Sequence, residues 1–136
     1  MDKFNLLDCT LRDGGYITKW KFEEETIREI VKNLIDANLD FVETGYINPM
    51  SDDKDTTQFS SIERIKNYIP VDKKSCIILA MADVQQVTPE HITPYTGDSI
   101  EGIRIVFYKH QIESAIALAK VVKENGYKLF MQPMVT

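Results

Sequence analysis

Several features that would assign a function class directly are scarce in this sequence of 136 residues. Basic residues are scattered, with no run longer than Lys73-Lys74, and the net charge is −5, so we expect no nucleic-acid partner. No apolar stretch approaches the roughly 20 residues of a membrane span, and no long apolar segment follows Met1, so we expect no membrane association. The two cysteines, Cys9 and Cys76, lie in apolar segments, which predicts a cytoplasmic protein with reduced thiols.

Glycine-rich phosphate-binding motifs are also missing. No Gly-x-Gly-x-x-Gly segment and no Walker loop follows any strand-like segment, and the pair Gly14-Gly15 is too short to replace them. Histidine is equally rare, because the sequence contains only His91 and His110. These absences weigh against nucleotide binding and leave few residues for a histidine-rich metal site.

The sequence does contain a regular alternation of strand-like and helix-like segments. Apolar strands start near residues 4, 41, 75, 102 and 128, and amphipathic helices are predicted over 23–37, around 62–69 and over 113–124. The third connection, 88–95, contains two prolines and is a short helix at best. Such alternation predicts an α/β fold with a parallel sheet, either an open doubly wound sheet or a (β/α)₈ TIM barrel.

The length of the chain bears on that choice. A complete barrel takes about 250 residues, whereas residues 1–136 supply roughly four and a half βα units. We therefore expect a single partial TIM-barrel domain over 1–136, corresponding to an N-terminal half truncated after its fifth strand. Unpaired strand edges would expose apolar surface, which predicts a homo-oligomer.

One segment concentrates the chemistry. Asp8, Arg12 and Asp13 crowd the end of the first apolar strand, where parallel α/β sheets place their ligands. Arg12 offers a fixed cation beside the metal-binding carboxylate of Asp13, and Gly14-Gly15 would allow a sharp turn of the backbone. A structural ion pair followed by a turn would use the same residues, and composition alone does not separate the two interpretations.

The motif Asp-x-Thr-Leu-Arg-Asp-Gly at residues 8–14 resembles the signature of a metal-dependent lyase superfamily. This HMG-CoA lyase-like, or DRE-TIM metallolyase, superfamily includes isopropylmalate synthase and 4-hydroxy-2-oxovalerate aldolase. The segment 37–45 resembles a second family segment, Gly-(Val/Ile)-Asp-x-(Ile/Val)-Glu-x-Gly. The resemblance implies a divalent-metal-dependent carbon–carbon lyase, or aldolase, acting on a small 2-oxo acid or an acyl thioester such as an acyl-CoA.

The resemblance also implies roles for the matched residues. Asp13 would ligate the metal, Mn²⁺ or Mg²⁺ with Zn²⁺ as the alternative, and Arg12 would bind substrate and stabilise the enolate. Glu43 would orient Arg12, although an ion pair inside the barrel explains it nearly as well. Arg104, in an apolar strand, is expected either to meet a substrate carboxylate or to form a structural ion pair. Gln132, near the end of the fifth strand, is a weaker candidate.

Two departures from the family pattern limit these implications. The aldolases carry an acid–base histidine where this chain has Tyr16, whose phenol orients a substrate more readily than it acts as a base. The family also takes two metal ligands from a His-x-His segment, which this sequence lacks. Two alternatives therefore stay open: a Claisen-type acyl-CoA condensing synthase of the same superfamily, and a half-barrel binding module without catalysis.

Overall fold

The structure is a computed structural model that describes residues 3–135. Strands and helices alternate along this part of the chain. Its strands are Leu7–Asp8 (β1), Phe41–Ile47 (β2), Gln58–Phe59 (β3), Ile77–Asp83 (β4), Gly102–Tyr108 (β5) and Lys128–Met134 (β6). Its α-helices are Thr10–Asp13 (α1), Gly15–Thr18 (α2), Glu24–Asp36 (α3), Ile62–Ile65 (α4) and Ile112–Glu124 (α5). Short 3₁₀ helices occupy Lys66–Tyr68, Pro89–His91 and Lys109–Gln111.

All the strands pair in parallel, and their order in the sheet follows their order in the sequence. The path is β1-β2-β4-β5-β6, with the two-residue β3 paired to β2 at the side. A doubly wound sheet would reverse its strand order at a switch point, and no reversal occurs within residues 3–135. The sheet curls into a half-barrel, so the expected α/β barrel type is confirmed at this level.

The convex face of the sheet holds the hydrophobic core. Ile78, Ala80, Ile103 and Ile105 are fully buried there among the apolar residues of the helices. Helix α3 contributes Ile27, Val31 and Ile35, and α5 contributes Ala115, Leu118 and Val122, spaced three or four residues apart. Each fully buried aliphatic side chain adds about 1.5–3 kcal/mol through loss of contact with water, so this face anchors the half-barrel.

The concave face carries the side chains that point away from that core, and the strand register arranges them in rows. Met81 is in register with Arg104 and Phe130, and the next inward row is Asp83, Val106 and Gln132. These rows lie progressively closer to the carboxyl ends of the strands. Polar and charged groups are therefore gathered on one side of the sheet, at the end where parallel sheets bind ligands.

A bulge in β2 brings two further side chains onto the concave face. Glu43 is in register with Leu79 and Tyr46 with Met81, so β2 uses three residues where β4 uses two. Regular alternation would place Glu43 and Tyr46 on opposite faces of the sheet. Gly45, within the bulge, has φ +152°, and a Cβ atom there would overlap the carbonyl oxygen of Thr57. Glycine is thus required by both the backbone and the packing.

The structure differs from the sequence-based expectation mainly in the connections. The segment after β1 forms two one-turn helices rather than an open turn, and β1 itself is shorter than expected. The third connection forms only a 3₁₀ turn, as its prolines predict. Among the helices of residues 3–135, none is both long and apolar enough to cross a bilayer.

Candidate active site

A cavity of about 320 Å³ opens at the carboxyl ends of the strands. It is lined by charged, phenolic, amide and apolar side chains: Arg12, Tyr16, Tyr46, Met81, Asp83, Val106, Phe107, Tyr108, Gln111, Gln132 and Met134. Its volume is at the lower end of the range of about 300–1,000 Å³ for small-molecule sites. The cavity therefore suits a ligand of a few carbon atoms, or the reactive end of a larger one.

A buried ion-pair network underlies one wall of this cavity. The carboxylate of Glu43 is completely buried and accepts a hydrogen bond from Arg12 Nε at 2.8 Å. Arg104 donates to the same carboxylate from Nε at 2.8 Å and from Nη2 at 2.9 Å. The side chains of Arg12 and Arg104 are only 16% and 13% exposed. Glu43 thus fixes two guanidinium groups at once, in a region with little water.

The buried part of the network carries an excess of positive charge. Two nearly buried guanidinium groups share one fully buried carboxylate, and the second acidic partner of Arg12, Asp13, is 69% exposed. Burial opposes ionisation of Arg12, but the hydrogen bond and negative charge of Glu43 outweigh it and raise the pKa of Arg12 further. Because buried charge is costly unless it is compensated, the wall favours an anionic ligand.

Arg12 has donors left for such a ligand. Its Nη1 donates to Asp13 Oδ1 at 3.0 Å and its Nε to Glu43, which leaves other N–H groups of a five-donor guanidinium. Arg104 is placed differently, since it does not line the cavity and its donors are directed to Glu43, Gln132 and Cys9. In this arrangement Arg104 holds other side chains in position, so direct substrate contact by Arg104 stays only a prediction.

The structure brings Gln132, a weaker candidate in the sequence, into contact with Arg104. Arg104 Nη1 donates to Gln132 Oε1 at 3.3 Å. Because a guanidinium can only donate, the amide oxygen must face Arg104, and the amide N–H₂ group is left for other acceptors. Gln132 also lines the cavity, so it adds neutral hydrogen-bond donors to the wall formed by Arg12. The feature of the sequence that indicates Gln132 is its position at the end of a strand, where alternation places its side chain on the same face as that of Arg104.

Two phenols form the mouth of the cavity. Tyr16 and Tyr46 lie with their hydroxyl oxygens 3.2 Å apart, and the ring of Trp20 packs edge-on against both. Burial, with the hydrogen bond to Tyr16 in addition, raises the pKa of Tyr46 well above its ordinary value. Tyr46 is therefore neutral near pH 7 and available as a hydrogen-bond donor, whereas Tyr16 is 64% exposed.

The glycine pair serves packing rather than the sharp turn expected from the sequence. Gly14 has ordinary helical angles, and a Cβ atom on it would overlap the carbonyl oxygen of Thr10. A Cβ atom on Gly15 would overlap the indole of Trp20. That indole donates from Nε1 to the carbonyl oxygen of Arg12 at 3.1 Å. The glycines therefore let the aromatic cover close over the Arg12 segment.

The described residues do not assemble a metal centre. Within residues 3–135 no three His, Cys, Asp or Glu side chains are grouped so that they could hold a metal ion. Asp13 could supply one carboxylate oxygen, but it is paired with Arg12 and does not line the cavity. His110 is exposed and stacks on Tyr108, and His91 caps the 3₁₀ turn at Thr88. The donor set present here fits at most one ligand of such a metal.

Cys9 lies beside the network without the character of a nucleophile. Arg104 Nη2 approaches its sulfur at 3.6 Å. Burial, followed by the charge of Glu43, raises the pKa of the Cys9 thiol despite the two neighbouring arginines. The thiol is therefore protonated near neutral pH and acts as a packing group.

Comparison with solved structures finds a relative of the same architecture. The protein superposes with a TM-score of 0.76 and 28% sequence identity on the N-terminal domain of a candidate aldolase from Bacteroides vulgatus. The match covers 98% of this chain and 45% of that chain, so the present sequence spans less than half of its relative. No protein-family model matches the sequence, and no curated protein matches it. The likeness supports an aldolase-like half-barrel.

Proposed function

We propose that this chain supplies the enolate-stabilising part of an aldolase that cleaves or forms a carbon–carbon bond at the carbon atom next to the keto carbonyl of a small 2-oxo acid. The observation that carries the proposal is the guanidinium of Arg12, fixed by buried Glu43 on the wall of the cavity. The likeness to the candidate aldolase from Bacteroides vulgatus supports the same reaction class.

The chemistry follows from where charge develops. When a hydroxylated 2-oxo acid is cleaved, the hydroxyl loses its proton and the adjacent carbon–carbon bond breaks to release an aldehyde. The bonding electrons pass into the 2-oxo acid fragment, whose carbonyl oxygen becomes the negative oxygen of an enolate. A guanidinium that is already fixed and stays charged lowers the free energy of that state without reorganising.

The other residues of the cavity supply binding and orientation in this proposal. The amide N–H₂ of Gln132 donates to a substrate carboxylate or carbonyl oxygen, on the same wall as Arg12. The phenols of Tyr16 and Tyr46 supply hydroxyl groups at the cavity mouth and, together with Trp20, limit the access of water. Removal of the hydroxyl proton is not assigned to any of these side chains.

Metal dependence is a separate proposal that rests on the resemblance of residues 8–14 to the metal-dependent lyases. A divalent metal would act as a Lewis acid on the 2-oxo acid, and Asp13 is the residue of this chain that would supply an oxygen ligand. Asp13→Asn preserves the size of the side chain and removes its charge. We expect this variant to lose Mn²⁺ affinity in a direct binding titration, and unchanged affinity would refute Asp13 as a ligand.

The decisive experiment measures release of pyruvate from hydroxylated 2-oxo acids by the full-length protein. Arg12→Lys preserves charge but loses the planar donor array, so we expect kcat to fall about 10²–10³-fold. Arg28→Lys, on the exposed side of α3, is the matched control and should leave kcat unchanged. Equal turnover of wild type and Arg12→Lys would refute the proposed role of Arg12.

The same preparation separates the alternatives. A condensing synthase would release a thiol from acetyl-CoA in the presence of a 2-oxo acid, without cleaving hydroxylated acids on its own. The second candidate is a binding module without catalysis, which the fixed donors of Arg12 and Gln132 on the cavity wall also support. Such a module would bind a 2-oxo acid with no turnover in either assay, with or without added Mn²⁺.

A further inference from the structure

The cavity contains one carboxylate whose charge the proposed reaction does not use. Asp83, the last residue of β4, is the single acidic side chain among the residues that line it. Its Oδ1 accepts a hydrogen bond from the backbone N–H of Gln85 at 2.8 Å, which leaves Oδ2 for other contacts. Asp83 also borders the adjoining smaller cavity of about 130 Å³, beside Tyr16 and Tyr46.

The surroundings of Asp83 differ in charge from those of Arg12. The Arg12 wall has two guanidinium groups for one buried carboxylate and directs N–H donors at the ligand. Asp83 takes part in none of the ion pairs found within residues 3–135, so no cationic side chain lies within ion-pair distance of its carboxylate. The cavity therefore has a cationic wall from Arg12 and an anionic position at the end of β4.

Arg12 and Asp83 line the same cavity, so a ligand bound at one lies near the other. An anion held by Arg12 shares about 320 Å³ with the carboxylate of Asp83. Charges within a Debye length of about 8 Å are not fully screened at physiological salt. At an effective dielectric constant of about 20–40, repulsion between Asp83 and a second carboxylate on the ligand changes the dissociation constant of that ligand by about tenfold.

We propose that Asp83 determines specificity by excluding 2-oxo acids that carry a second carboxylate. The cavity then selects substrates with one negative charge, which binds at Arg12, and an uncharged remainder, which lies near Asp83. This inference rests on the proposed function, because it takes binding of a 2-oxo acid carboxylate at Arg12 as given.

Two matched ligands test the selection. 2-Oxobutyrate and oxaloacetate share a 2-oxo acid end and differ by a methyl group against a carboxylate at the other end. Binding can be followed in the full chain by fluorescence, because Trp20 is the only tryptophan of the 136 residues and bonds to the Arg12 segment at the cavity mouth. The readout is the ratio of the two dissociation constants and needs no turnover.

Two variants isolate the charge of Asp83. Asp83→Asn removes the charge and preserves an oxygen that can accept the Gln85 N–H. Asp72→Asn is the matched control, because exposed Asp72 accepts the Lys74 N–H at 2.9 Å in the same local geometry and lies away from the cavity. If Asp83→Asn does not fold by far-UV circular dichroism, Asp83→Ser replaces it, since a seryl oxygen accepts the same bond.

We expect wild type to prefer 2-oxobutyrate by about tenfold, and Asp83→Asn to tighten oxaloacetate binding by about tenfold with little change for 2-oxobutyrate. Asp72→Asn should preserve the wild-type ratio. If the ratio of the two dissociation constants is unchanged in Asp83→Asn, or changes equally in Asp72→Asn, the proposed role of Asp83 in selectivity is refuted. The proposed function is not affected by that outcome. Failure of both ligands to bind wild type overturns the proposed function, and this inference with it.

Discussion

Replacement of Glu43 by glutamine tests the buried network under the cavity most directly. The substitution preserves the size of the side chain, but it removes the one negative charge that lies between Arg12 and Arg104. Glutamine also presents an N–H₂ group to two donors, so some of the three hydrogen bonds must be lost. Arg104 would then be nearly buried without an anionic partner, and Arg12 would retain only the exposed carboxylate of Asp13.

The expected loss of stability is large for a single substitution. Removal of one partner from a buried ion pair costs about 3–5 kcal/mol, against a total unfolding free energy of about 5–15 kcal/mol for a typical domain. With a urea dependence of about 1–3 kcal/mol per molar, the urea midpoint should fall by roughly 2 M. Urea titrations at pH 7, followed by far-UV circular dichroism and by Trp20 fluorescence, measure this shift.

Two further variants make the measurement specific. Glu63→Gln removes a carboxylate from an exposed pair with Lys66 and should move the midpoint very little. Combining Glu43→Gln with Arg104→Gln removes the cation that Glu43→Gln leaves without an acidic partner, so the double variant should be more stable than Glu43→Gln alone. A loss below about 1 kcal/mol in Glu43→Gln, or no recovery in the double variant, would refute the assigned role of the network.

Three other outcomes are expected. Gly45→Ala should lower the unfolding free energy by about 2–3 kcal/mol, because of backbone strain and overlap with Thr57. Gly97→Ala is the control and should lower it less, since Gly97 has φ +86° but no atom within 4 Å of the new Cβ. Equal losses in the two variants would contradict the packing argument. Because the folded-state pKa of Tyr46 lies above its ordinary value of 10.0, the stability that Tyr46 contributes is complete below that pH and is lost as pH rises. The stability advantage of wild type over Tyr46→Phe should therefore shrink above about pH 10 in alkaline urea titrations, and a constant difference would argue against the raised pKa. The 136-residue chain should self-associate in light scattering, since Phe4, Leu6 and Val135 are 62–98% exposed at the ends of the sheet, and a monodisperse monomer would contradict this.

The parts of the fold that depend on local pattern could be predicted from the sequence. Helices α3 and α5 follow from apolar residues three and four positions apart, and the long strands follow from short apolar runs. The Arg12 segment can be identified as a candidate site because three charged residues lie at the end of an apolar strand. These signals are contained within about ten neighbouring residues, so no knowledge of the tertiary structure is needed to detect them.

The composition of the cavity could not be predicted in the same way. Which strand residues face the concave side depends on register, and the bulge in β2 changes that register between Glu43 and Tyr46. Asp83 and Gln132 become neighbours of the site only through the pairing of β4, β5 and β6. The two interpretations of Arg104 differ in the direction of one side chain, and a sequence pattern contains no such direction.

The bulge in β2 also has a consequence for how this protein can change its sequence. Glu43 and Tyr46 are three residues apart, and they share the concave face only because the bulge takes up one residue between them. A substitution that straightened the strand at its present length would turn one of the two side chains towards the helices. Deletion of one residue between them would also straighten the strand, but the two side chains would then be two residues apart and would still share a face. This short interval should therefore tolerate the loss of one residue better than a substitution that abolishes the bulge.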